Sequence, residues 1–499
     1  MTDLTARDWR DRADALTLRT RAFIDGRFVD AASGATFASI SPIDGRRLAE
    51  VAACDAEDVD RAVAAARRAF EDRRWAGQPP AERKRVLRAF AERIRAARDE
   101  LALIETLDMG KPIADSLAVD VRATANCIEW YAEAIDKVYD EIAPTPESAL
   151  ALVTREPLGV IGAVVPWNFP MLMAAWKLAP ALAAGNSVVL KPAEQSSLSA
   201  LRLAELAVEA GLPEGVLNVT PGMGPTAGRA LGMHMDVDGL VFTGSTEVGR
   251  FFMEYAAKSN LKKIGLELGG KSPFVILGSC RDVDRAAAQA AHSMFFNQGE
   301  MCTAPSRLIV ERSAHERAVE TVSRIAADYV PGDPLDPATR MGALVDAGHA
   351  DRVMGFVETA RAEGATIAAG GARARTDTGG SYVEPTVFDR VRNDMTVARE
   401  EIFGPMLSVI PVADAEEAIR VANDTPYGLA ASLWTDDLTT AHRLSRRLRA
   451  GLVYVNCYDA DDMTVPFGGY KQSGIGRDKS LHALDKYTEL KTTWMALDG

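Results

Sequence analysis

Gly159-Val160-Ile161-Gly162-Ala163-Val164-Val165, Ser187-Val188-Val189-Leu190 and Val216-Leu217-Asn218-Val219 are three short, almost uninterrupted apolar runs. Their length and β-branched content fit strands buried on both faces. Helical patterns separate them, from Lys177 to Leu182 and from about Ser199 to Ala210, and the series continues through Gly239-Leu240-Val241-Phe242 to a helix after Gly249. Strands that alternate with helices in this way build a mostly parallel sheet. Such a sheet holds ligands at its strand ends, where loops meet helix N-termini.

Toward the C-terminus, Pro273-Phe274-Val275-Ile276-Leu277 opens a second series with helical and strand patterns at Ala287 to His292, Leu308-Ile309-Val310 and Ala415 to Ala422. We read a second α/β domain of nearly equal size, with its boundary at Gly269-Gly270. Toward the N-terminus, residues 21–50 are short apolar pieces broken by turn signals, which is hairpin material. Asp55 to about Met109, and a further run over 114–138, read as amphipathic helices. Arg61, Arg67 and Arg68 are interleaved with acids and belong to a solvated helix face. The end of the chain differs: Gly451 to Asn456 is a strand, Phe467 to Gly474 a turn-rich loop, and Tyr487 to Trp494 an alternating tail. That tail needs a partner edge, from its own domain or from another subunit.

A chain of 499 residues is too long for one core and makes two or three domains. With 47% apolar and 25% charged residues it has the composition of an ordinary soluble globular protein. A net charge of −13 with mixed acids and bases gives nucleic acid no basic face to bind. The five cysteines lie far apart with no CxxC pair, and the six histidines lack HExxH spacing, so neither a disulfide framework nor a metal site is expected. Met1 to Arg10 lacks an apolar signal core, and every long apolar run is broken by Lys, Pro or Asn. Neither export nor a membrane location is expected. A reducing cytoplasm fits, and it keeps thiols available.

Several strand-end loops carry groups able to do chemistry. In Asn297-Gln298-Gly299-Glu300-Met301-Cys302-Thr303-Ala304-Pro305, small neighbours leave Cys302 room to meet an incoming carbon, and a thiolate is a strong nucleophile toward carbonyls. Pro166-Trp167-Asn168-Phe169-Pro170 holds the Asn168 amide between two rigid prolines. It can donate to a developing oxyanion or cap the following helix. Lys191-Pro192-Ala193-Glu194 offers a donor and a carboxylate to a ribose. A 2′-phosphate would meet the like charge of Glu194, which favours NAD over NADP. Phe242-Thr243-Gly244-Ser245-Thr246 supplies a glycine turn and helix-start N–H groups for phosphate, although it is not the GxGxxG fingerprint. Glu267 is the only acid in an apolar segment, where desolvation makes it a base for water or a structural pair holds it. Glu401 can accept from a second ribose, with Phe403 against a flat ring.

These six motifs, in their order along the chain, resemble the NAD(P)-dependent aldehyde dehydrogenase superfamily, and the resemblance runs from Phe23 to Trp494. It implies two Rossmann-like α/β domains and a small β oligomerisation element. The cofactor domain would take residues 1–139 and 158–268, the catalytic domain 269–480, and the oligomerisation element 140–157 and 481–499, assembled as a homodimer or a homotetramer. It also implies Cys302 as nucleophile, Glu267 as general base, and Asn168 with the Cys302 N–H as oxyanion hole. NAD would be held by Pro166, Trp167, Lys191, Glu194, Gly244, Ser245, Glu401 and Phe403. The thiolate adds to the aldehyde, the oxyanion collapses with loss of hydride to the nicotinamide, and water activated by Glu267 releases the acid from a thioester. Pro305 departs from the usual glycine, and Glu247, beside the phosphates, is expected to turn outward.

Asp108 to Ile113, Trp130 to Lys137 and Asp478 to Lys486 resemble the bacterial branch that oxidises ω-aminoaldehydes in polyamine and arginine breakdown. A small cationic or zwitterionic aldehyde is the implied substrate. Phe169, Met173, Trp176 and Phe296 would wall its aliphatic portion. Asp459, Asp461 and Asp462 either line its entrance, favouring a cationic tail, or form a solvated acidic loop. Betaine aldehyde is the nearest rival, with Trp176 and Tyr458 as aromatic faces for a quaternary ammonium.

Overall fold

The computed structural model describes residues 4–497. Residues 1–3 and 498–499, which the expected ranges 1–139 and 481–499 include, lie outside the described residues. The apolar runs form an eight-stranded sheet in the order Arg27–Val29, Ala22–Ile24, Leu217–Val219, Ser187–Lys191, Val160–Val164, Gly239–Gly244, Lys263–Leu268, Gly474–Ile475. The five central strands are parallel, and the edges are antiparallel. From Val160–Val164 the chain first moves outward through 187 and 217, then returns to the other side at 239. The order therefore reverses beside that strand, which opens a crevice at the carboxyl ends.

A second sheet runs Thr366–Ala369, Thr386–Asp389, Met406–Val412, Arg307–Glu311, Pro273–Ile276, Ala430–Trp434, Leu452–Val455, parallel except at its first pair. The molecule thus has the two α/β units expected. One buried apolar cluster joins them, with Ile161 and Val188 from the first sheet and Phe274 and Leu308 from the second. The chain also crosses back between them. Gly474–Ile475, at the end of the turn-rich loop expected over Phe467 to Gly474, pairs with Leu266 and Glu267 at the edge of the first sheet. A two-residue strand leaves no periodic trace in a sequence.

Local chemistry accounts for the helices that flank the crevice. Ala56–Glu71 starts at Asp55 in a capping box with Asp58, and its alanine and valine face is buried. Pro170–Ala184 begins with proline, whose missing N–H costs nothing in a first turn, and stops at Gly185 with φ +100°. The tail Thr488–Ala496 pairs antiparallel with Ala149–Pro157, which pairs with Glu141–Ala143. This small sheet projects Ile142, Leu490 and Trp494 into solvent, each more than half exposed. The partner edge is thus within the chain, and among the described residues no strand pairs with the outer edge of the tail.

Candidate active site

The carboxyl ends of the first sheet and four segments of the second unit, 296–303, 345–352, 401–403 and 459–467, enclose a cavity of about 800 Å³. It brings together Pro166, Trp167, Asn168, Phe169, Met173, Trp176, Gly244, Ser245, Glu267, Phe296, Cys302, Glu401, Phe403, Asp459 and Asp461. Lys191 and Glu194 are absent from its lining. They close on each other, Nζ to Oε2 at 3.0 Å, and their neighbour Gln195 lines the cavity instead.

The loop that carries Cys302 is forced through three consecutive left-handed residues, Asn297 (φ +47°), Gln298 (φ +57°) and Gly299 (φ +72°). Such a turn persists only where its surroundings over-determine it. Here the Asn297 amide donates to the carbonyl oxygens of Asn168 and Glu300 at 3.2 Å each, and Gln298 accepts from the Gly342 N–H. A side chain at Gly299 would strike the Gly404 backbone at 2.5 Å. Asn168 is 5% exposed, and its amide donates to the Glu300 carbonyl at 2.8 Å. The helix that follows has no side-chain cap, so the capping alternative for Asn168 fails. Asn168 is instead strapped to the cysteine loop, and its second amide hydrogen is not used in that bond. Pro305 lies buried where the loop enters the strand Arg307–Glu311, away from the cavity lining.

Cys302 keeps some solvent contact through the cavity, yet protein surrounds it closely enough that burial pushes its thiol well above the usual range. Glu267, Glu401 and Asp459 add to the effect. Glu267 is 3% exposed, and its Oε1 has no hydrogen-bond partner among the described residues. Burial first, then the Asp478 carboxylate, raises it to about 8, against the opposing pull of Lys177, Lys486 and Arg477. Beside it, Asp478 is ion-paired with both Lys177 and Lys486. Burial therefore favours the protonated form of both thiol and carboxyl.

Glu401 lies over Gly269, accepts from the Gly270 N–H at 2.9 Å, and is pushed by burial up to about 7. Phe403 (φ +60°) stands edge-on to Trp167 at 5.2 Å. His349 holds this corner. Its Nε2 is 2.7 Å from the Phe403 carbonyl and Arg352 reaches its Nδ1 at 3.0 Å. Burial, then Arg352, lowers His349 to about 4, so it is neutral, donates to the carbonyl and accepts from the guanidinium. His349 and Arg352 both line the cavity and were not anticipated, since a lone histidine and arginine on the helix Ala347–Ala362 carry no local signature.

At the opposite sheet, Ser245 caps the helix Thr246–Lys258 by accepting from the Val248 N–H. A side chain at Gly244 would strike the Phe242 ring at 2.4 Å, so the backbone there stays bare. The Thr243 hydroxyl is buried without a partner among the described residues. A bare backbone, a helix start and an orphaned hydroxyl fit a dinucleotide phosphate. Glu247 is exposed at the rim of the cavity.

The acidic run divides. Asp462 is exposed and bonded to Thr464, outside the cavity. Asp461 is ion-paired with Lys479, and Asp459 has no side-chain hydrogen bond or ion pair among the described residues. Trp176 packs edge-on to Phe467 at 4.9 Å, while Phe169 and Phe296 stack at 6.4 Å. Tyr458 is buried, donates to the Thr303 carbonyl and does not reach the cavity, so it offers no aromatic face to a quaternary ammonium. No cluster of three or more His, Cys, Asp or Glu among the described residues could hold a metal ion. None of the helices described is long and apolar enough to cross a membrane.

Comparison with known proteins gives the same outline. Residues 28–493 match the model of the aldehyde dehydrogenase family. The chain is 50% identical over 491 residues, 98% of each chain, to the NADP/NAD-dependent aldehyde dehydrogenase PuuC of Escherichia coli K12. Among solved structures, it is 59% identical to a gamma-glutamyl-gamma-aminobutyraldehyde dehydrogenase from Burkholderia cenocepacia, with a TM-score of 0.97 over 99% of this chain and 100% of that one. An indole-3-acetaldehyde dehydrogenase in complex with NAD+ is 57% identical, with a TM-score of 0.98 over the same shares.

Proposed function

Because the chain belongs to the aldehyde dehydrogenase family, we propose that it oxidises ω-amino or guanidino aldehydes to carboxylic acids in polyamine and arginine breakdown. Candidate substrates are 4-guanidinobutyraldehyde, γ-glutamyl-γ-aminobutyraldehyde and 4-aminobutyraldehyde. The observation that carries this substrate class is Asp459, a carboxylate without a side-chain hydrogen bond or ion pair among the described residues, in a cavity that Phe169, Trp176 and Phe296 also line. An aliphatic chain gains from the rings, and a cationic end gains from the carboxylate.

The chain is an NAD-dependent aldehyde dehydrogenase. Pro166, Trp167, Lys191, Glu194, Gly244, Ser245, Glu401 and Phe403 would hold NAD, and the bound nicotinamide supplies the hydride acceptor. The chain's own groups do the rest. Cys302 gives its proton to the solvent that reaches it through the cavity, and its sulfur attacks the carbonyl carbon, whose C=O π pair moves onto the oxygen. The free amide hydrogen of Asn168 and the Cys302 N–H stabilise the oxyanion. Glu267 then takes a proton from water, which attacks the thioester on Cys302. His349 and Arg352 position Phe403 and the Glu401 loop. We assign the cofactor domain to 1–139 and 158–268, the catalytic domain to 269–480, and a homodimeric or homotetrameric contact to the small sheet of 140–157 and 481–499. We place the enzyme in the cytoplasm, where reducing conditions keep Cys302 a thiol.

The test is kcat/KM over 4-aminobutyraldehyde, 4-guanidinobutyraldehyde, the γ-glutamylated aldehyde, betaine aldehyde and an uncharged aldehyde. The cationic and zwitterionic aldehydes should lead the uncharged one. Equal values across the panel would remove the substrate class and leave only the reaction.

A further inference from the structure

Lys479 sits on the cavity wall with its ammonium 5.8 Å from the Trp176 ring centre and 6.0 Å from that of Phe467. Both distances are within cation–π reach. It is ion-paired with Asp461, which is itself fixed by the Tyr454 hydroxyl at 2.9 Å. The pair is nearly buried, its side chains 8% and 15% exposed. A buried ion pair is a poor stability device compared with apolar residues of the same volume. The backbone around it is also costly. Lys479 (φ +59°) precedes Ser480 at φ 49°, ψ −177°, a conformation that is almost confined to glycine. Tyr131 donates to the Ser480 carbonyl, and the Ser480 N–H donates to Met463, which hold the turn in place. Asp459, also left-handed at φ +52°, faces the same space. Asp459 is exposed to this space, with the charges of Asp461 and Lys479 near it.

We infer that Lys479, steadied by Asp461, is a specificity-determining residue that receives a carboxylate on the substrate's distal end, while Asp459 receives an ammonium there. The site is therefore built for an aldehyde whose tail ends in an amino acid. An ammonium also carries more donors than the one Asp461 uses, so Lys479 can serve a second carboxylate without leaving the first. This assignment rests on the aminoaldehyde reading of the same cavity and selects within it. A tail that is only anionic would meet Asp459 and Asp461 along with Lys479, so it should be refused.

The experiment compares four aldehydes of equal length, ending in an amino acid, an ammonium, a carboxylate or a methyl group. Each kcat/KM is divided by that of the methyl-ended aldehyde with the same enzyme. The wild type should rank them amino acid, ammonium, methyl, carboxylate. The double substitution Lys479→Gln, Asp461→Asn removes both charges together, so no lone ion is left buried. It should lower the amino-acid to ammonium ratio by on the order of tenfold, the value of one charge-assisted hydrogen bond. Asp459→Asn should instead lower the ammonium to methyl ratio, and Lys479→Arg should keep the wild-type order. An amino-acid to ammonium ratio untouched by the double substitution, with ammonium still preferred over methyl, overturns the role of Lys479 alone. A wild type that does not prefer ammonium over methyl overturns the aminoaldehyde reading beneath it.

Discussion

Glu267 and Asp478 are neighbouring carboxyl groups, both almost fully buried, and they are held in opposite states. Burial pushes each upward. For Asp478 the ammonium groups of Lys177 and Lys486 outweigh it and hold the carboxyl below its usual range. Glu267 has no cation of its own, receives the Asp478 charge as a further penalty, and rises to about 8. Equal burial therefore does not decide acid strength; the partners do. The pairing also separates roles. A carboxylate with two fixed cations joins the helix Pro170–Ala184 to the chain's end, while an unpaired one is free to exchange a proton.

That contrast is broken most severely at Glu267. Glu267→Gln keeps the shape and removes the base, so steady-state kcat should fall by about 10²–10⁴-fold. Rapid mixing should still show a first-turnover burst of NADH, because only thioester hydrolysis needs this carboxylate. Loss of the burst would assign Glu267 an earlier step. In the wild type, the rate of thioester hydrolysis should rise with pH up to about 8 and then level, since Glu267 works in its ionised form.

The converse change, Asp478→Asn, leaves Lys177 and Lys486 buried without their counter-charge. We expect a stability loss of about 3–5 kcal/mol, read as an earlier urea unfolding midpoint. In whatever enzyme survives, the rising limb of thioester hydrolysis should move to lower pH. Burial raises the Glu267 carboxyl most and Asp478 adds to it, while Lys177, Lys486 and Arg477 lower it, so removing the aspartate leaves burial opposed by cations alone. An unmoved limb would mean that burial alone sets Glu267.

Much of this was legible in the sequence because it is local. Apolar runs bounded by glycine and proline mark the parallel strands, and Asn168, Glu267 and Ser245 sit at the strand ends where such a sheet puts its cavity, while Cys302 enters it on the loop before Arg307–Glu311. What was not legible is assembled across distance. Asp478 meets Lys177 over 301 residues, and Lys479 takes its meaning from Trp176, Phe467 and Asp461. No window of sequence contains those neighbours together. The acidic run shows the same thing in miniature, since three nearby aspartates look alike on paper and end in three environments.

Lys191 and Glu194 extend the contrast to the cavity's margin, and the expected effect there is smallest. Lys191 is 3% exposed, whereas the Glu194 side chain is 30% exposed, and burial lowers the lysine while Glu194 props it up. Unlike Glu267, this carboxylate has a cation; unlike Asp478, it also meets water, so its charge is screened. Glu194→Ser should remove the like charge facing a 2′-phosphate and release the Lys191 ammonium toward it. The ratio of kcat/KM for NADP+ over NAD+ should rise about tenfold, or about 1.4 kcal/mol. Thermal unfolding should barely change, because an exposed partner contributes little to stability. If the wild type already uses NADP+ better than NAD+, Glu194 does not face the ribose, and the contact it makes with Lys191 is its whole role.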